Sequence, residues 1–195
     1  MRVLKNGGAV AFPTDTVYGV GAVMSLSGRK KLLKIKKREA SRPLGLFVSS
    51  IAQARKLTID VSGDAAELMK QLWPGRLTLV FKASAAIPDK LQYKGTIGIR
   101  MPDQSWLLSV LKQLKKPLLQ TSANLSGHPP LTSVSEIFVQ LGRKVELIVD
   151  AGGVKTGKPS TVVDVSGSRP RILRLGSVSR QRVERILQKK VYVSR

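Results

Sequence analysis

The side chains best suited to chemistry fall in short polar segments, each of which follows or interrupts an apolar, strand-like run. Pro13 to Gly19 sets Thr14, Asp15, Thr16 and Tyr18 within one turn, beside a glycine that lets backbone approach closely. Lys36 to Leu44 contributes Lys36, Arg38 and Arg42; Arg29, Lys30, Lys31 and Lys34 precede it, and Glu39 is the only acid between Arg29 and Arg42. Fixed ammonium and guanidinium groups of this kind offset the charge of a triphosphate and the extra charge that develops on departing pyrophosphate. Thr121 to Gly127 adds hydroxyl and amide groups able to bond phosphate, ribose or a base edge. Lys158 to Asp164 and Arg169 to Gly176 complete the set. Each segment alone reads equally well as a loop or a solvated strand end.

Several familiar chemistries are excluded. The chain has no cysteine, so it has no disulfide, thiolate nucleophile or Cys-ligated zinc. Its one histidine, His128, stands in the loop-like Ser126-Gly127-His128-Pro129-Pro130, a poor setting for a catalytic triad. Gly152 to Lys158 has P-loop spacing, but Pro159 stands where that motif needs a Ser or Thr hydroxyl and a backbone N–H. Gly19-Val20-Gly21 lacks the third glycine of a dinucleotide fingerprint, because Met24 occupies it. For a general base, Asp15 is the one candidate, though an Asp in a turn is ordinarily structural.

The elements that position these groups follow from periodicity. Strands are expected at Gly8–Phe12, Gly45–Val48, Leu77–Phe81, Thr96–Arg100, Leu118–Gln120, Leu147–Asp150, Thr161–Val165 and Ile172–Gly176. Helices are expected over Arg29–Arg38, Ala65–Trp73, Trp106–Leu114, a stretch capped by Ser133 with Glu136, and a last one capped by Ser179. Their interspersion gives an α/β class with a mixed sheet in a single domain spanning 1–195.

With 34 Lys and Arg against 12 Asp and Glu, the 195-residue chain carries a formal charge of +22, which points to polyanionic partners such as nucleotides or RNA. No apolar run reaches the roughly 20 residues of a membrane span, and Met1 to Lys5 lacks a signal peptide's apolar stretch, so a cytoplasmic, soluble protein is expected.

In this order, Gly7-Gly8 leading into PTDTVYG, Lys36-x-Arg38 followed by Pro43-Leu44, WPGRLTLV at 73–80, IGIRMP at 97–102, TSANLSG at 121–127, PSTVVD at 159–164 and ILRLG at 172–176 resemble the YrdC/TsaC family of threonylcarbamoyl-AMP synthases. The resemblance implies a twisted mixed sheet with flanking helices and a concave, basic face. It implies a nucleotidyltransferase that joins L-threonine, bicarbonate and ATP into threonylcarbamoyl-AMP and pyrophosphate, for threonylcarbamoyladenosine modification of tRNA by a downstream transferase complex. Lys36 and Arg38 match the catalytic basic pair. Arg38, Arg42, Thr96, Ser122, Asn124, Thr132 and Arg174 match ATP-binding positions. Thr14, Arg100 and Ser160 match threonine-binding positions, Arg100 as partner of the α-carboxylate, and Thr16 and Tyr18 line the same cavity. Mg²⁺ is expected to arrive on ATP oxygens, with no protein metal site. The chain departs from the pattern in its N-terminal helix, which only Met1 to Asn6 could form, and in Glu39, where proline is common. The rival reading is a non-catalytic basic protein that binds tRNA or double-stranded RNA, although aromatics, at 5%, are sparse for base stacking.

Overall fold

The structure is a computed structural model that describes residues 1–39, 41–129, 131, 133–150 and 157–194. Serine starts most of its helices. Ser25, Ser50, Ser62, Ser133 and Ser179 each accept a backbone N–H from the first turn of α2 (Leu26–Lys36), α3 (Ile51–Lys56), α4 (Gly63–Leu72), α6 (Val134–Leu141) and α7 (Arg180–Leu187). At Ser133 the expected capping box is complete. Because Ser25 caps it, α2 begins earlier than the run of lysines suggests. Among the described residues two helices start otherwise, the four-residue α1 (Arg2–Lys5) and α5 (Ser105–Leu114). After β-strand residues 77–83, Pro88 leads into a 3₁₀ turn at Asp89–Leu91.

Among the described residues, eleven strands make one mixed sheet. They are β1 (Val10–Phe12), β2 (Gly19–Val23), β3 (Gly45–Phe47), β4 (Thr58–Ile59), β5 (Leu77–Ala83), β6 (Thr96–Arg100), β7 (Leu118–Ser122), β8 (Leu147–Ile148), β9 (Thr161–Asp164), β10 (Arg171–Arg174) and β11 (Tyr192–Val193). The order is β11-β10-β9-β5-β6-β3-β7-β2-β1-β8, with β4 beside β5. The pairs β3–β6, β5–β9, β1–β8 and β10–β11 are parallel and the others antiparallel. The α/β class with a mixed sheet is therefore as expected. Strands β2, β4 and β11 and helix α3 are additions to the elements that periodicity indicates.

Alternation along the strands sends Val20, Leu46, Leu79, Phe81, Ile97, Ile99, Leu119 and Val163 to one face. There they pack with Leu32 and Ile35 of α2, Leu68 and Met69 of α4, Ile137 and Leu141 of α6, and Val183 of α7. The opposite face is covered over only part of its width. Leu107, Leu111 and Leu114 of α5, with Leu4 of α1, close over Val10, Phe12, Phe47 and Leu118. Among the described residues, no helix lies on the rest of that face, across β9, β5, β6 and the near side of β3, and this open part forms the cavity described below. No helix among the described residues is long and apolar enough to cross a membrane.

Leu46 lies on β3, between β6 and β7, and is fully buried. Leu46→Ala should cost about 2–5 kcal/mol, read as a fall in the urea midpoint with an unchanged slope.

Candidate functional site

The open part of the sheet is the floor of a cavity of about 670 Å³, within the ~300–1,000 Å³ range of small-molecule sites. One row of paired residues crosses it: Asp164, Val80, Gly98, Gly45 and Gln120. Gly98 makes room. A Cβ there would meet only Thr78 and Val80, at 3.5 and 3.9 Å, so a side chain would fill the cavity without straining the backbone.

The Pro13–Gly19 loop forms one wall. Thr14 Oγ1 accepts the N–H groups of Thr16 and Val17 at 3.1 and 3.2 Å and donates to the Val17 carbonyl at 2.6 Å. Arg100 reaches this loop from β6. Its Nε donates to the Gly75 carbonyl (2.8 Å), one terminal nitrogen to Thr16 Oγ1 (3.0 Å) and the other to Asp15 Oδ1, and the guanidinium lies 5.6 Å from the centre of the Phe47 ring. These bonds use three of its five N–H groups. Among the described residues one N–H on each terminal nitrogen has no acceptor, which suits a carboxylate ligand. With Oδ1 committed to Arg100 and Oδ2 buried without a partner among the described residues, Asp15 serves first as the counter-ion of Arg100.

The opposite wall comes from β9 and β10. Arg174 donates to the Ser160 carbonyl at 2.8 Å and to its Oγ at 3.3 Å, while Ser160 Oγ bonds Thr78 Oγ1 at 2.9 Å. Gly176 permits this approach, since a Cβ there would lie 2.3 Å from the Pro159 carbonyl oxygen.

The end of α2 and the turn after β7 supply the third wall. Lys37 adopts a left-handed conformation (φ 48°) that stops α2 and swings Arg38 toward the cavity, where it donates to Thr121 Oγ1 at 3.2 Å. Its Nε is buried without a partner among the described residues. Lys36, the last helical residue, goes the other way. It is 2% exposed, and its ammonium lies behind Ser122 and Asn124.

Thr14, Thr16, Tyr18, Arg38, Thr96, Arg100, Ser122, Asn124, Ser160 and Arg174, scattered through the sequence, thus line one cavity. Lys36 stands behind its wall. Arg42 is exposed beyond the lining residues, and Glu39 accepts a bond from Ser41 Oγ. Thr132 lies outside the described residues, as does most of the glycine-rich stretch at 152–158. Thr121 and Asp164, from the polar segments at 121–127 and 158–164, also line the cavity, as do Thr78 and Gln120, which lie outside those segments. The available signal is polar residues at alternate positions of otherwise apolar strands.

The cations crowd one another. Burial, then the neighbouring Arg38 charge, pulls Lys36 from 10.5 to about 7. Burial and Arg42 lower Arg38, and burial alone lowers Arg174. For Arg100 burial is the largest influence; Asp15 opposes it, and Arg76 and Arg174 add to the lowering. The cavity is a concentrated positive site suited to an anion.

The chain matches the Sua5/YciO/YrdC family, described as telomere recombination, over residues 2–176, and it belongs to that family. It is 33% identical to a threonylcarbamoyl-AMP synthase of Pyrococcus abyssi over 94% of its own length and 55% of that protein. It is 37% identical to a putative threonylcarbamoyl-AMP synthase of Mycobacterium tuberculosis over 94% of its length and 85% of that protein. The crystal structure of Pyrococcus abyssi Sua5 complexed with L-threonine superposes with a TM-score of 0.94 at 32% identity, covering 99% of this chain and 57% of that one. The chain thus spans little more than half the length of the Pyrococcus abyssi protein.

The displaced Lys36 titration has a sign. Between about 7 and 10.5 the unfolded chain holds a proton on this lysine that the folded chain does not. Its contribution to stability therefore rises with pH across that window. The stability of the wild-type protein relative to Lys36→Met should climb as pH is stepped upward through it, measured by urea unfolding.

Proposed function

We propose that the chain forms L-threonylcarbamoyl-AMP and pyrophosphate from L-threonine, bicarbonate and ATP, as a nucleotidyltransferase of tRNA threonylcarbamoyladenosine synthesis, and that residues 1–195 act as one YrdC-like domain. The observation that carries this reading is the convergence of Arg38, Arg100 and Arg174 with the hydroxyls of Thr14, Ser122 and Ser160 on one cavity. Threonine is held near Thr14, Arg100 and Ser160, its carboxylate on the two remaining N–H groups of Arg100. The threonine amine condenses with bicarbonate to a carbamate: the C–N bond forms, a C–O bond of bicarbonate breaks, and water leaves. A carbamate oxygen attacks the α-phosphorus, the bond to the bridging oxygen breaks, and pyrophosphate leaves with the electron pair.

Arg38 and Arg174 lie where charge grows on the departing group, and burial makes their electrostatic effect larger than it would be in water. Arg42, Thr96 and Ser122 complete the nucleotide side, with Asn124 in the wall beside Ser122 and Thr132 assigned there on sequence. Mg²⁺ enters as part of the MgATP substrate. Asp164, a carboxylate at the edge of the cavity floor, is engaged by Ser166 and reached by Arg171, which suits a metal held by phosphate oxygens and water. Among the described residues none is positioned as an obvious base, and the reaction is served by placement and charge neutralisation.

The +22 charge favours a second, polyanionic partner, tRNA or double-stranded RNA, bound outside the cavity. The product would pass to a tRNA threonylcarbamoyl transferase complex in the cytoplasm.

Pyrophosphate release, measured while ATP, bicarbonate and L-threonine are omitted in turn, should require all three. Arg38→Ala should reduce turnover roughly tenfold or more with the melting temperature little changed. Tight, salt-sensitive tRNA binding without any such release would instead select the non-catalytic RNA-binding reading.

A further inference from the structure

We propose that Lys36 and Asn124 are positioning residues, an ammonium-centred clamp that holds Ser122 and its turn at the cavity wall while their own polar groups stay off the nucleotide. This rests on the function proposed above and refines it.

Lys36 Nζ lies 2.7 Å from the Ser122 carbonyl oxygen, 2.7 Å from Asn124 Oδ1 and 3.5 Å from Ser122 Oγ, so its N–H groups all have acceptors behind the wall. Asn124 is equally committed. Its Oδ1 accepts from Lys36 and from Ser122 Oγ, and its Nδ2 donates to the carbonyls of Leu125 and His128. An amide has two acceptor and two donor sites, and all four are occupied. The main chain closes the clamp, since Ser126 N–H donates to the Lys36 carbonyl at 3.2 Å. Lys36 is 2% and Asn124 6% exposed. Ser122 differs. Its hydroxyl proton is spent on Asn124, so Oγ presents a lone pair to the cavity and suits a hydroxyl or N–H of the ligand.

Removing either end of the clamp frees the same turn, so the two losses should not compound. A cycle of Lys36→Met, Asn124→Leu and the double variant tests this through KM and kcat for pyrophosphate release and through ATP affinity by titration calorimetry. Each single change should raise KM for ATP roughly tenfold and leave KM for L-threonine within about twofold. The double variant should fall within about threefold of the worse single one. Effects that multiply, or equal losses for both substrates, overturn the proposal.

Should the variants fail to fold, a crystal structure of the unmodified protein with a non-hydrolysable ATP analogue decides. Lys36 Nζ still on Ser122 O and Asn124 Oδ1 supports the clamp, and Nζ on a phosphate oxygen overturns it. Absence of threonine-dependent pyrophosphate release by the wild type counts against the proposed function instead, while the calorimetric cycle and the analogue complex still judge the clamp.

Discussion

A wide sheet must cover both faces, and here, among the described residues, four helices spread over one face while the other is covered only in part. Everything at the site depends on that asymmetry. Helices α2, α4, α6 and α7 bury the odd-numbered positions of β5 and β6, and α5 spreads only over the side of the other face that carries β1, β2 and β7. The even-numbered positions Thr78, Val80, Gly98 and Arg100 are left facing a hollow. Register is therefore part of the site's chemistry. A one-residue slip of β6 against β5 would bury Arg100 among Leu79 and Phe81 and turn Ile99 into the cavity.

Gathering cations into a low-dielectric hollow is costly, and each is accommodated differently. Arg100 has a carboxylate partner in Asp15. Arg174 leans on the Ser160 carbonyl and Arg38 on a threonine hydroxyl, neither of which neutralises charge. Lys36 is pulled to the edge of losing its proton. A bound polyanion would relieve the repulsion among these groups, in line with an overall charge of +22 that the chain's own acids leave unbalanced.

Much of this was legible in the residues. The capping pair Ser133 and Glu136, the apolar spacing of α4 and α5, and the strand-like runs at 77–81 and 96–100 all express local rules that tertiary context did not override. Strand β2 is hidden because Gly19 and Gly21 look like loop residues. Within the sheet the glycine at 21 is needed, since a Cβ would come 2.9 Å from the Leu119 carbonyl oxygen. Two-residue strands such as β4 and β11 are too short for any periodicity. Lys36 and Arg38 look equivalent in sequence. One left-handed residue between them sends one behind the wall and the other in front of it, a divergence that spacing alone does not encode. Nor could spacing indicate that Asn124 spends its whole amide on its neighbours.

The parallel joins between β5 and β9 and between β1 and β8 tie earlier strands of the chain to segments made long afterwards. During synthesis Thr16 must wait for Arg100, and Thr78 for Ser160, before either has its neighbour. Such long-range closure makes for slow assembly. It also means that no short nascent fragment possesses a finished binding site: the hollow is completed late, when the strand carrying Arg174 docks.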